Sequence, residues 1–296
     1  MWPVMLTPFT PSLGIDWDGV NALVDWYINN GADGLFAVCL SSEMYDLSQD
    51  ERLELAARVV KHSAGRVPVI ASGTFGGSMQ SQADDMKRMY DTGVDAVVVI
   101  ASQVVEAEAD DAEWLANLHQ LMALTGDIPL GLYECPSPYH RLLSPELVRV
   151  IGKTGRFRYY KDTSCNREAI RLKLASVDCS SMMWMNANAP TLLYSLQRGG
   201  CGFMGIGANF LPAHFAWLCR HFLDEPEEAE RMQRFLSVAD MVVRNKYPTS
   251  AKLFIRLLGL PINSVCRNRD QVLSDEELLI LDHLKGMPKD ILKTIR

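Results

Sequence analysis

The chain has no surplus of positive charge. Its 29 Lys and Arg are outnumbered by 36 Asp and Glu, giving a formal net charge of −7 over 296 residues. That excludes a general nucleic-acid or membrane-surface binder, because either needs a basic face. No apolar run approaches the ~20 residues that a membrane-spanning helix requires. The opening Met1-Trp2-Pro3-Val4-Met5-Leu6-Thr7-Pro8-Phe9 has neither a basic region nor a long apolar core, so it reads as a first strand and not as a signal peptide. Seven cysteines are scattered, with no Cys-x-x-Cys pair. They read as reduced thiols of a cytoplasmic protein, most of them small buried hydrophobes, rather than as a disulfide framework. The six histidines lack His-Glu-x-x-His spacing, so no metal site is expected. No Gly-x-Ser-x-Gly elbow is present. The Gly73–Gly77 and Gly205–Gly207 clusters lack a phosphate-binding fingerprint and read as tight turns.

What the chain does have is alternation. Eight short runs are apolar, mostly β-branched or aromatic: Pro3–Phe9, Gly34–Val38, Val67–Ala71, Ala96–Ile100, Ile128–Tyr133, Phe157–Tyr160, Met182–Met185 and Gly202–Ile206. Continuous rather than alternating hydrophobicity marks strands of a parallel sheet covered on both faces. Amphipathic stretches separate them. Asp16–Asn30 puts Val20, Leu23, Val24 and Tyr27 on one face and stops at Gly31. Ser48 with Glu51 forms a capping box, and Ser144-Pro145 opens another helix with proline at its first position. Asn166–Ala175, Pro190–Arg198 and Leu211–Phe222 fill later gaps. Eight such units predict an α/β fold, a (β/α)8 TIM barrel over residues 1–224. After Asp224-Glu225-Pro226 only helical patterns follow (Glu227–Arg244, Thr249–Leu258, Ser274–Leu284). They predict a small C-terminal helical domain over 225–296 that also suits an oligomer contact.

In such a barrel the residues just past the strand C-termini share one mouth. Lys161, in Tyr159-Tyr160-Lys161-Asp162-Thr163, follows the sixth run, and Tyr133 ends the fifth. A lysine at its free pKa of about 10.4 is protonated and inert as a nucleophile. Burial disfavours the ammonium and frees the amine to add to a ketone, forming an iminium that draws electrons from an adjacent C–C or C–O bond. A phenol alongside can move the protons that these steps require. Ser41 and Ser42 after the second run suit a substrate carboxylate. Either residue of the lysine–tyrosine pair, taken alone, is more ordinarily a solvated lysine or a packed ring.

The chain resembles the dihydrodipicolinate synthase / N-acetylneuraminate lyase family of class I, pyruvate-dependent aldolases. The resemblance rests on ordered motifs over nearly the whole length. They are Leu6-Thr7-Pro8-Phe9, Ser41-Ser42-Glu43, Tyr133-x-x-Pro136-Ser137, Leu143-Ser144-Pro145-Glu146-Leu147, Lys161-Asp162-Thr163, Gly199-Gly200-Cys201-Gly202 and Ala251-Lys252 before Leu257-Leu258-Gly259-Leu260-Pro261. It implies Lys161 as the Schiff-base lysine, Tyr133 as the proton-shuttling tyrosine, and Ser41 and Glu43 in the carboxylate loop. It also implies no metal or organic cofactor, a small keto acid as substrate, and a homo-oligomer, usually a tetramer. Departures stand beside the matches. Leu40 replaces a relay hydroxyl, Ala101–Val105 holds no tyrosine, and Pro138 stands where an aldehyde-binding arginine is usual. Dihydrodipicolinate synthesis is therefore not expected. Thr163 is closer to the members acting on sugar acids. Asn186 and Asn188 suit hydroxyls of a polyol chain, and Met204 suits the keto-acid methyl. The resulting expectation is an uncharged, roomy mouth and a lyase of a 2-keto-3-deoxy acid. A dehydratase on the same scaffold and a non-catalytic paralogue are the alternatives.

Overall fold

The computed structural model describes residues 1–268 and 271–294. Seven strands form one parallel sheet in sequential order. They are β1 (Leu35–Val38), β2 (Val69–Ser72), β3 (Ala96–Ile100), β4 (Leu130–Tyr133), β5 (Phe157–Asp162), β6 (Met183–Asn186) and β7 (Gly202–Phe203). Helix α1 (Trp17–Asn29) precedes β1. Helices α2 (Gln49–Ser63), α3 (Met79–Tyr90), α4 (Asp111–Leu124), α5 (Pro145–Gly152), α6 (Arg167–Leu174) and α7 (Leu192–Leu196) connect successive strands. After β7 come α8 (Pro212–His221), α9 (Pro226–Arg244), α10 (Thr249–Leu257) and α11 (Asp275–Thr294). No helix among the described residues is long and apolar enough to cross a membrane.

Local chemistry explains the elements. All five residues of β3, Ala-Val-Val-Val-Ile, are buried, as a strand covered on both faces requires. Ser48 caps α2 by accepting from Glu51 N, and Glu51 returns the bond to Ser48 N at 2.8 Å. Gly31 follows α1 at φ 88°, a left-handed conformation that glycine adopts without strain.

Four expected elements come out differently. Pro3–Phe9 makes only one parallel bridge, Val4 to Phe36. Pro3 and Pro8 have no N–H to donate, so a full ladder cannot form. The segment still joins both edges of the sheet. Phe36 N donates to Pro3 O and Met5 N to Phe36 O, each at 3.0 Å, while Trp2 N donates to Phe203 O at 2.8 Å on the opposite edge. The last run shrinks to Gly202–Phe203, because the chain enters a 3-10 turn at Ile206–Asn209. Pro190–Arg198 divides into a 3-10 turn at Ala189–Thr191 and the short α7. The final helix runs past Leu284 to Thr294.

Trp2 anchors the N-terminal segment. Its ring lies 4.9 Å from that of Tyr159. It also covers Gly34, where a β-carbon would come within 2.4 Å of the indole. Gly34→Ala therefore pushes the indole from its seat and is expected to cost about 1–3 kcal/mol, as overpacking does. Urea denaturation checks this, and an unchanged midpoint would mean that the ring moves aside freely.

Candidate active site

Strand register brings the two leading residues together. Tyr133, the last residue of β4, pairs with Lys161 of β5, and Glu134 N continues the ladder to Lys161 O at 3.3 Å. Side chains alternate along a strand. Tyr133 and Lys161 therefore face one way, into a cavity, while Glu134, Tyr160 and Asp162 face the helices. Lys161 is only 5% exposed. Its Nζ lies 4.0 Å from the centre of the Tyr133 ring and 5.5 Å from that of Phe36. Burial lowers its pKa to about 8, against weaker opposition from the Cys39 and Cys135 thiols. Burial, then the same two cysteines, push the Tyr133 phenol well above its ordinary range.

Behind this pair lies a buried ionic cluster. Lys173 of α6 donates to Glu134 Oε1 at 2.6 Å and to Asp162 Oδ2 at 2.8 Å. All three side chains are 2% exposed or less. Glu134 also accepts from the Tyr160 phenol at 2.5 Å, Leu143 N at 2.7 Å and Thr163 N at 3.1 Å. Desolvation raises the Glu134 pKa, with Lys173 opposing it. Three residues adjoining the lysine and the tyrosine are thus held from outside the sheet.

The cavity, about 650 Å³, is lined by Tyr133 and Lys161 together with Ser41, Thr163, Asn188 and Gly205 among others. Ser42, Asn186 and Met204, expected at the mouth, do not line it. Ser42 Oγ donates to Cys39 O at 2.6 Å and accepts from Cys39 N at 2.7 Å, and so builds the 3-10 turn that presents Ser41. Asn186 Nδ2 donates to Thr191 O at 3.0 Å and Ser195 Oγ at 2.9 Å. Its Oδ1 accepts from Asn188 N at 2.8 Å. Asn186 thereby shapes the turn that carries Asn188. Met204 is buried in the core, and Gly205 and Ile206 line the wall beside it. Thr163 lies at the lining with its hydroxyl donating to Glu134 O at 2.5 Å and 2.8 Å from His140 Nε2. Glu43 lines the rim at φ 57°, its carboxylate held by Lys252 Nζ at 2.8 Å and Arg267 N at 2.6 Å.

Sequence reasoning missed several lining residues. Tyr247 adjoins Ser41 and takes a 2.7 Å bond from Asn209 Nδ2. Tyr45 donates to Ser137 O at 2.8 Å. Arg244, at the end of α9, brings a guanidinium to a mouth expected to be uncharged. None lies in a motif or just past a strand, so no local signal marks them.

A buried lysine and a phenol thus stand side by side at adjacent strand ends of a parallel α/β sheet. Residues 1–283 match the model of the dihydrodipicolinate synthetase family, and the chain belongs to that family as an enzyme. It is 26% identical over 286 residues to a 4-hydroxy-tetrahydrodipicolinate synthase of Oceanobacillus iheyensis, covering 92% of this chain and 95% of the relative. A protein of the same name from Bacillus subtilis is 24% identical over 277 residues, covering 93% and 94%. Among solved structures, YagE from Escherichia coli K12, a prophage protein of the dihydrodipicolinic acid synthase family in complex with pyruvate, superimposes with a TM-score of 0.86. Its identity is 23%, covering 98% of this chain and 97% of its own.

Lys173→Met leaves two buried carboxylates without their cation and is expected to destabilise the fold by about 3–5 kcal/mol. Without the ammonium, nothing from Lys173 opposes the burial that already raises the Glu134 pKa, so the variant loses most stability at high pH. The deficit should shrink as pH falls and Glu134 takes up a proton. Denaturation midpoints of both proteins at pH 5 and pH 8 test this, and a deficit that grows on acidification would contradict it.

Proposed function

We propose that this enzyme is a Schiff-base lyase acting on pyruvate or a 2-keto-3-deoxy acid through Lys161. The observation that carries the reading is a buried lysine of lowered pKa facing a phenol across adjacent strand ends. The neutral amine adds to the ketone, and the carbinolamine loses water to give an iminium. In the cleavage direction the C3–C4 bond breaks and its electron pair flows into the iminium. An enamine remains and an aldehyde departs. Protonation of the enamine and addition of water release pyruvate and the free amine. Tyr133 moves the protons at the carbinolamine and at the hydroxyl that becomes the aldehyde. Ser41 and the backbone N–H groups of its turn hold the keto-acid carboxylate, fixing the ketone's angle to the amine.

On this reading the sheet closes around the N-terminal segment as a (β/α)8 barrel, and α9–α11 form a C-terminal helical domain. The hydrogen bonds that Trp2 N and Met5 N donate to the two sheet edges, with the one that Pro3 O accepts from Phe36 N, support the first part. Leu40 and Pro138, at two positions where the dihydrodipicolinate-forming members differ, favour a substrate other than theirs.

Borohydride reduction with pyruvate is expected to leave a pyruvate-derived adduct on the Lys161 peptide and none on Lys161→Ala. Absence of an adduct on the folded wild type would sink the mechanism. Tyr133→Phe is expected to lower kcat by roughly 100- to 10,000-fold, as loss of a general acid–base does.

The trapping rate is also expected to rise as pH climbs through about 8, because only the deprotonated amine attacks and Lys161 loses its proton there. A trapping rate flat from pH 6 to 10 would show that deprotonation of this amine is not limiting.

A further inference from the structure

We propose that Arg244 binds an anionic group, carboxylate or phosphate, at the end of the substrate remote from the ketone. The substrate class is then a 2-keto-3-deoxy acid with a negatively charged terminus. This rests on the lyase reading of Lys161 and adds the identity of the far end.

Arg244 and Lys161 line the same cavity at different depths. Lys161 is 5% exposed, whereas the Arg244 side chain is 53% exposed. A ligand with its ketone at the floor therefore extends toward the guanidinium at the rim. The chain leaves α9 at Asn245 in an extended conformation, and Tyr247 and Pro248 continue the same wall. Cys165, four residues beyond Lys161, lines the same wall; burial pushes its thiol pKa up, and the nearby Arg244 guanidinium opposes that rise. That places the cation above the end of β5. Asn188 and Thr163 also line the cavity, suited to hydroxyls on the intervening carbons.

The guanidinium is aimed and has donors to offer. Asp240, one helical turn earlier and 2% exposed, accepts from Arg244 Nη2 and anchors that side. A guanidinium carries five N–H donors in a fixed fork, and one carboxylate oxygen does not saturate them. The two acids in the cavity wall are already hydrogen-bonded. Glu43 is neutralised by Lys252 at 2.8 Å, and Asp46 accepts from Asn268 Nδ2 at 2.9 Å. The volume, about 650 Å³, is far more than a three-carbon acid fills.

Binding of three aldonic-type acids by calorimetry tests this without needing the iminium: gluconate, with an uncharged terminus, glucarate, with a carboxylate, and 6-phosphogluconate, with a phosphate. The wild type is expected to bind at least one anionic-terminus acid about 10- to 100-fold more tightly than gluconate, the range of a charge-assisted hydrogen bond. Whichever binds tighter identifies carboxylate or phosphate. Arg244→Gln should abolish the preference, and Arg244→Lys should keep part of it. Equal affinity for all three in the wild type, or a preference that survives Arg244→Gln, would overturn the proposal. Pyruvate trapping on Lys161, run on the same variants, separates the two readings. A retained anion preference with no trapping removes the lyase chemistry and leaves the anion site. Normal trapping in Arg244→Gln also shows that the variant is folded.

Discussion

The arrangement of this site depends on one buried ammonium held between two carboxylates. Lys173 reaches from α6 to Glu134 beyond β4 and to Asp162 at the end of β5. Each of these carboxylates adjoins, in sequence, one of the two residues proposed to do chemistry. Because strands alternate their faces, fixing Glu134 and Asp162 on the outside also fixes Tyr133 and Lys161 on the inside. Burying three charges is costly, and their mutual attraction offsets the desolvation only with close geometry and further hydrogen bonds. Those bonds are present, from Tyr160, Leu143 and Thr163 to Glu134 and from Ser164 to Asp162. A hydrophobic replacement of the cluster would pack the helix but would not tie two strand ends to one point.

A second set of long-range ties holds the opposite rim. Glu43, in a left-handed conformation unusual for its type, is gripped by Lys252 of α10 and by the backbone of Arg267. The Arg267 guanidinium continues to Glu51 through two bonds, 2.7 and 2.6 Å, and to Leu13 O. The segment after α10 is thereby strapped across the turn that presents Ser41. The floor of the cavity is set by strand register, and its rim by helices late in the chain.

The sequence was legible where structure is local. Apolar runs located all seven strands, and counting strand ends brought Tyr133 and Lys161 to one mouth. It was less legible where a turn intervenes. Ser42 and Met204 lie in the right loops and Asn186 at the right strand end, but none of them lines the cavity. For Ser42 and Asn186 a tight turn uses their polar atoms internally and presents a neighbour, Ser41 or Asn188. The first strand was over-read because hydrophobicity does not register the N–H groups that Pro3 and Pro8 lack. Arg244 and the Glu134–Lys173 pair were invisible for a different reason. Glu134 and Lys173 are 39 residues apart, and Arg244, though paired with Asp240 on its own helix, meets the rest of the cavity wall only in the folded chain.

The cluster behind the lysine also bears on how the chain finds its fold. Sliding β5 by one position against β4 would turn Lys161 outward toward the helix layer and Asp162 inward. An amine would then sit beside Lys173, and an uncompensated acid would occupy an apolar interior. Two independent penalties thus oppose the same misalignment, so this pair of strands carries its own proofreading against mispairing during folding.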